Sequence, residues 1–170
     1  MESYVALLRA VNVGGTGKLP MSDLKSMCEE LCLANVQTYI ASGNVVFKSK
    51  LNAAKLQAIL EKRLETYAGK AVGVHIRTAA EMRAVLRANP FPEAAGNRNL
   101  VIFLDAAPPP NAISKATGLA DEKIALGLRE IYVHYGEGMG QSKLKIPAAK
   151  LGTARNMNTV AKLVEMQGSA

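Results

Sequence analysis

The residue types best suited to bind an anion lie in a glycine-rich segment near the N-terminus. Arg9, Asn12, Gly14, Gly15 and Lys18 fall between a short apolar strand and a predicted helix. Glycine lets backbone N–H groups approach a ligand closely, and successive N–H groups can form an anion-binding nest. Arginine binds phosphate or carboxylate in a bidentate manner, and lysine adds a point charge. The segment therefore predicts an anion site. A turn that needs glycine only to reverse the chain, with Arg9 paired to an acid, explains the same residues.

A second glycine-rich segment, residues 136–143, also runs from a predicted strand to a predicted helix over 142–149. Ser142 is placed to cap that helix, and Lys143 falls in its first turn, where a cation opposes the helix dipole. A bound anion would compensate for this charge. A flexible exit from a hairpin is the alternative. Neither segment has the spacing of a P-loop or of G-x-G-x-x-G.

Two further clusters hold polar side chains at places where the chain turns. Ser42 and Asn44 flank Gly43 between two predicted strands, which is typical of a hairpin, and their side chains either support the turn or face a ligand. Arg155, Asn156 and Asn158 precede or open the last predicted helix. One asparagine is explained as a cap, but two with an arginine exceed what capping needs, which favours a polar site.

The sequence offers little catalytic or metal-binding machinery. His75 and His134 lie on predicted strands with apolar neighbours, so we expect half-exposed strand residues rather than members of a triad. Cys28 and Cys32 fall on the apolar stripe of a predicted helix and are predicted to be two buried thiols. Because no second Cys/His pair completes a zinc site, neither metal nor cofactor is predicted. Whether the protein is an enzyme stays open.

Composition indicates a globular protein with a basic surface. The chain has 170 residues, 49% of them hydrophobic, and a net charge of +7. Residues 1–4 do not resemble a signal peptide, and no apolar run approaches the ~18 residues that span a membrane. Two unpaired thiols favour a reducing compartment, so a cytoplasmic, soluble protein is expected. The basic C-terminal region suggests an anionic partner, although a solvated basic surface explains it equally well.

Hydrophobic periodicity predicts the order β-α-β-β-α-β over residues 1–78, the split ferredoxin-like arrangement. Residues 79–170 repeat a similar α/β plan, with short helices predicted at 112–117 and 142–149 and a longer one at 156–166. The predicted fold class is α+β: two ferredoxin-like subdomains, mostly antiparallel sheets with helices on one face, forming a single compact unit. The domains are predicted at 1–78 and 79–170.

Three segments resemble a known family: Tyr4–Gly15, Thr38–Phe47 and Thr153–Val160. Together they are similar to the bacterial family catalogued as "domain of unknown function 1697". The resemblance implies a two-subdomain α+β fold and no defined chemistry. The family usually has Gly, Thr and Trp where this chain has Ala10, Ala154 and Met157. Ala10 fits without strain if its φ is negative, and Met157 still fills a core or groove but lacks an aromatic face and an N–H donor.

Three functions compete. The first is binding of a small phosphate- or carboxylate-bearing ligand between the subdomains, by the residues named above. The second, less favoured, is nucleic-acid backbone binding through the basic C-terminal face, since Tyr4, Tyr39 and Phe47 offer few rings for base stacking. The third is a protein-interaction module. The oligomeric state is not indicated.

Overall fold

The computed structural model describes residues 1–12, 18–136 and 139–169 of the chain. Two compact units are present. The first comprises Met1–Arg83 and the C-terminal stretch from Leu163, and the second comprises Ala84–Lys162.

The first unit contains a four-stranded antiparallel sheet in the order β2–β3–β1–β4. The elements follow one another as β-α-β-β-α-β, which confirms the arrangement predicted for this half of the chain. Their bounds are β1 (Glu2–Leu8), α1 (Met21–Glu30), β2 (Ala34–Tyr39), β3 (Asn44–Ser49), α2 (Ala53–Ala68) and β4 (Val74–Thr78).

One face of this sheet forms the core with α1 and α2. Side chains alternate across a strand, so Tyr4, Ala6 and Leu8 lie on the same face of β1 and join one buried cluster. Both helices contribute three buried residues at helical spacing: Leu24, Met27 and Cys28 from α1, and Leu56, Leu60 and Leu64 from α2.

The ends of α2 are fixed by local chemistry. The Asn52 side chain accepts a hydrogen bond from the Lys55 N–H at 2.9 Å, and Gly69 ends the helix in the left-handed conformation at φ 72°. Helix α1 begins after Pro20, and no side chain caps it.

The opposite face of the first sheet is also buried, and it carries polar residues. In the β1–β4 ladder Leu7 lies opposite His75 and Val5 opposite Arg77. His75 is 3% exposed and Arg77 is 1% exposed. The expectation of a half-exposed His75 is therefore wrong, because this face of β4 is covered as well as the face towards the helices.

The second unit repeats the strand order of the first in a second antiparallel sheet, β6–β7–β5–β8. Its strands are β5 (Asn99–Phe103), β6 (Lys123–Leu126), β7 (Glu130–His134) and β8 (Thr153–Asn156). Two more helices are α3 (Ala79–Arg87) and α4 (Met157–Ser169). Thr78 and Glu81 form a reciprocal capping box at the start of α3, with hydrogen bonds of 2.9 and 3.1 Å. The protein thus has the predicted α+β architecture.

The connections within the second sheet differ from those predicted. Residues 112–117 lie in and just after a hydrogen-bonded turn, and the 142–149 segment contains only a 3₁₀ turn at Pro147–Ala149. Both predicted helices are therefore wrong. Thr117 and Lys145 form an isolated antiparallel bridge, with N–H···O distances of 2.9 and 2.8 Å, which holds both segments extended where they meet. Strand β8 was not predicted from sequence periodicity. Its first three residues precede the last predicted helix, and Asn156 was predicted to begin that helix.

The two cysteines differ in environment, contrary to the prediction that both are buried. Helix α1 ends at Glu30, so Cys32 lies beyond it, exposed and at φ 63°. Cys28 is fully buried, and this burial raises the pKa of its thiol to about 12.

We expect a thiol reagent at pH 8 to modify Cys32 rapidly and Cys28 only when the protein unfolds. At a pKa of about 12, roughly one Cys28 thiol in 10,000 is ionised at that pH, and the side chain is also inaccessible. Ellman's reagent should release one equivalent quickly and the second after denaturant is added. The Cys32→Ser variant should lose the fast phase, and two fast equivalents in the native protein would contradict the structure.

Candidate functional site

The chain reverses direction immediately after β1, and Asn12 holds that reversal. Ala10 and Asn12 both have left-handed backbone conformations, with φ 57° and 55°. The Asn12 Nδ2 donates to the carbonyls of Leu19 and Ala41, each at 2.8 Å, and its Oδ1 accepts from the Leu19 N–H at 2.6 Å. The amide thus ties both ends of the glycine-rich segment to the β2–β3 turn. Gly14 and Gly15, the predicted anion nest, lie outside the described residues.

The β2–β3 turn packs directly against this reversal. Gly43 has φ 90°, as the hairpin prediction requires, and a side chain there would collide with Leu8 and Val11. The buried Asn44 Nδ2 donates to the Tyr39 carbonyl and to the Ser42 hydroxyl, each at 2.9 Å. The described contacts of Ser42 and Asn44 therefore support the turn, and they bring it to the same end of the first sheet as Asn12.

A small, mostly apolar cavity opens beside the reversal, between it and the C-terminal end of α2. Its volume is about 60 Å³. Its walls are formed by Ala10, Val11, Lys18, Leu19, Leu64, Tyr67, Ala68, Lys70 and Val72. Arg9 adjoins this wall, and its backbone N–H donates to the Gly73 carbonyl at 2.9 Å.

Two lysines give the cavity a positive rim. Lys18 and Lys70 are both exposed, and both contribute to the lining. The Tyr67 hydroxyl donates to the Asp23 carboxylate at 2.8 Å, and this bond raises the pKa of Tyr67. Asp23 thus places a hydrogen-bonded carboxylate on the α1 side of the cavity. Lys18 was predicted as a site residue. Lys70 and Tyr67 were missed, because they lie about 50 residues away and their neighbours carry no motif.

In the second unit, Ser142 and Lys143 lie on the rim of a polar depression of about 250 Å³. The Ser142 hydroxyl donates to Glu122 Oε2 at 2.9 Å and accepts from the Leu144 N–H at 3.2 Å. The bonds from the Ala120 N–H and from Ser142 hold the pKa of Glu122 below its ordinary value. Since no helix follows, Ser142 caps none, and Lys143 does not oppose a helix dipole. The carboxylates of Asp121 and Glu122 also line the depression, which disfavours an anion there.

The last predicted cluster has divided roles. Asn156 Oδ1 accepts from the Thr159 N–H at 2.9 Å, so Asn156 caps α4. Arg155 is buried in β8, where its Nη1 donates to Thr153 Oγ1 at 2.7 Å and to the Ala154 carbonyl at 2.9 Å. Burial lowers the pKa of Arg155 to about 10. Asn158 is exposed, and its amide lies against Gly96, where an added Cβ would require the Asn158 side chain to move.

The predicted residues therefore fall into separate groups. Asn12, Ser42 and Asn44 meet at one end of the first sheet, with Arg9 and Lys18 beside them. Ser142 and Lys143 lie in the second unit, as do the three residues around β8. Among the described residues, no three or more His, Cys, Asp or Glu side chains are arranged to hold a metal ion. No helix in that part of the chain combines the length and hydrophobicity needed to cross a membrane.

Comparison with known proteins identifies the family. Residues 1–132 match the family model described as "Protein of unknown function (DUF1697)". The chain belongs to the DUF1697 family. The DUF1697 chain also resembles, in fold, a conserved bacterial protein, SP0830 from Streptococcus pneumoniae, with a TM-score of 0.81 and 24% identity over 99% of each chain. No curated protein matches it.

The structure shows the environment of two of the three residues that differ from the usual family residues, Ala10 and Met157. Ala10 has a φ of 57°, so the condition under which it would fit without strain is not met. A glycine adopts this conformation at no steric cost, which explains the residue that the family usually has there. Met157 is 6% exposed at the start of α4 and fills a buried position, as predicted.

The Ala10→Gly variant should be more stable than the parent protein by about 0.5–1 kcal/mol. Relief of the left-handed strain outweighs the added flexibility of glycine in the unfolded chain. Denaturant unfolding at constant m-value measures the difference. Ala58→Gly, an exposed position in the middle of α2, is the matched control and should cost about 1 kcal/mol. A loss of stability at both positions would contradict a strained left-handed conformation at Ala10.

The Asn12→Gly variant should lose about 1.5–3 kcal/mol, because three hydrogen bonds disappear while the backbone conformation stays allowed. Asn35→Gly is the control, since Asn35 is exposed and has a similar φ of 52°. That change should alter the free energy of unfolding by less than about 0.5 kcal/mol. Equal effects at the two positions would show that the Asn12 amide contributes nothing.

Proposed function

We propose that the protein binds a small carboxylate- or phosphate-bearing ligand in the cavity beside the β1 reversal. The observation that carries the proposal is the lining of that cavity: two lysines at the rim of an apolar interior. An apolar pocket with a few charged groups at its opening suits a ligand that is charged at one end. Each ammonium attracts the charged end, while the interior excludes water from the other.

The cavity volume limits the size of the ligand. At about 10–15 Å³ for each water molecule, 60 Å³ accommodates roughly four to six waters, or a similar number of non-hydrogen atoms. A short-chain carboxylate such as butyrate matches this number, with its alkyl chain against Leu19, Leu64 and Val72. Inorganic phosphate or a short alkyl phosphate is the other form of the same chemistry. A nucleotide exceeds this volume several-fold.

The remaining predicted residues have different places in the proposal. Arg9 adjoins the cavity and is proposed to add charge at its edge, and Gly14 and Gly15 are proposed to supply backbone N–H groups. Asn12 is proposed to hold the cavity wall in place without contacting the ligand, because all three of its described hydrogen bonds stabilise the reversal. Participation of Arg155, Asn156 and Asn158 through a site between the two halves of the chain stays a prediction.

The structure offers less support for nucleic-acid binding. Tyr4 and Phe47 are buried in the core with α1 and α2, with ring centroids 6.0 Å apart, so neither ring presents a stacking face to solvent. Arg155 is buried too, which removes one charge from the basic C-terminal face. Lys143, Lys145 and Lys150 remain exposed there.

The proposal predicts selective, charge-dependent binding of short anions. In an NMR titration, butyrate and phosphate should shift the backbone amides of Val11, Leu19 and Val72. The alkyl chain should make butyrate bind more tightly than acetate, since each buried CH₂ contributes about 0.8 kcal/mol, or roughly fourfold. Chains longer than about four carbons should lose this gain, because they exceed the roughly four to six non-hydrogen atoms that the cavity accommodates.

Variants test the role of the lysines. Lys18→Gln and Lys70→Gln should each weaken butyrate binding by about two- to fivefold, the range for an exposed charge pair. Lys115→Gln makes the same charge change at an exposed position in the second unit and should have no effect. Equal weakening by all three variants, or no shift at the cavity amides with either anion, would refute the proposal.

A further inference from the structure

A larger groove lies in the second unit, and none of the residues predicted from the sequence to bind a ligand lines it. Its volume is about 490 Å³, within the ~300–1,000 Å³ of typical small-molecule sites. One wall is the segment from Pro90 to Ala95, which follows α3. The other wall is formed by Lys123 of β6 and His134 of β7.

The first wall is held in place by a buried asparagine. Asn99 of β5 is fully buried, and its Nδ2 donates to Asn89 Oδ1 at 3.0 Å and to the Phe91 carbonyl at 3.2 Å. The Phe91 N–H donates to the same Asn89 oxygen at 3.0 Å. Because Asn99 lies opposite His134 in the β5–β7 ladder, these bonds fix Phe91 next to the second wall. The groove is thus pre-formed, which lowers the entropic cost of binding.

The apolar part of the groove is aromatic. The rings of Phe91 and His134 lie 5.8 Å apart between centroids, with an interplanar angle of 41°. Both side chains are half-buried, so part of each ring faces the groove, and Pro90 and Pro92 extend the surface. Flat rings pack against such a pair at centroid distances of about 4.5–7 Å. This surface therefore favours a flat aromatic molecule over a flexible aliphatic one.

The charge beside the rings indicates the polar part of the ligand. Lys123 lies directly opposite His134 in the β6–β7 ladder, so their side chains share one face of the sheet with Cβ atoms about 5 Å apart. Lys123 is exposed on an edge strand and lines the groove. An ammonium next to an aromatic surface complements a ring that carries a carboxylate. Glu93, the other charged lining residue, works against such a ligand.

We propose that this groove is a binding site for aromatic carboxylates, with the ligand ring packed on Phe91 and His134 and its carboxylate paired with Lys123. The site is independent of the cavity beside the β1 reversal, because it shares no residue with that cavity and lies in the other unit.

The experiment uses the full chain and three probes of similar size in NMR titrations. Indole-3-acetate should bind and shift the amides of Phe91, Lys123 and His134. Tryptamine, which has the same ring and the opposite charge, should bind more weakly. Cyclohexylacetate, which has the charge without the flat ring, should also bind more weakly. Tryptamine binding at least as tightly as indole-3-acetate would overturn the proposal, as would equal binding of cyclohexylacetate.

Two variants with opposite expected effects on binding distinguish a lost contact from a loss of folding, because misfolding would weaken binding in both. Lys123→Gln should weaken indole-3-acetate binding by about two- to fivefold, and Glu93→Gln should strengthen it by a similar factor. Both residues are exposed, so the fold should be retained. Lys18→Gln, at the other cavity, should leave indole-3-acetate binding unchanged. If instead Lys18→Gln weakens this binding and Lys123→Gln does not, the groove is not the site, and the two proposals are thereby distinguished.

Discussion

The reversal of the chain after β1 depends on a single side-chain amide. Ala10 and Asn12 both adopt left-handed conformations, which cost free energy for any residue with a Cβ, although asparagine tolerates them best. The three hydrogen bonds of Asn12 compensate for this cost, and they attach the reversal to the β2–β3 turn. Two lining segments of the small cavity are held by that attachment: Ala10–Val11 before the glycines and Lys18–Leu19 after them. The pocket is thus a consequence of a backbone constraint.

The two sheets have the same strand order but differ in the connections between their strands. In the first unit the crossovers are helices that bury apolar stripes on the sheet. In the second, the described parts of the connections after β5 and after β7 are turns and 3₁₀ turns, joined by the Thr117–Lys145 bridge. A helix can cover a sheet face with few polar groups exposed, whereas irregular backbone needs side-chain partners. Glu122 and Ser142 act in this way, because their hydrogen bonds satisfy loop N–H groups.

The sequence was sufficient to predict the first half of the fold, whereas in the second half strand β8 and the course of the connections were missed. Periodicity located α1, α2 and four strands because each presents an apolar face to a core. The 142–149 segment has alternating apolar residues and a good cap at Ser142, yet that hydroxyl bonds to Glu122, and Lys145 pairs with Thr117. These contacts are distant in sequence, so no local pattern reveals them. Strand β8 was missed because Thr153–Asn156 is polar, and its strand conformation comes from pairing with β5. Lys18 was predicted as a site residue because it follows the glycine-rich segment. Lys70 was not predicted, because only the tertiary fold brings it to the same cavity.

The irregular connections of the second unit also bear on how such a protein diverges. Backbone that runs over a surface without helical hydrogen bonds accepts insertions and substitutions more readily than the elements it joins. The strands β5 to β8 can keep their ladder while those connections change length and chemistry. The surface of the second unit can therefore vary while its sheet framework stays the same.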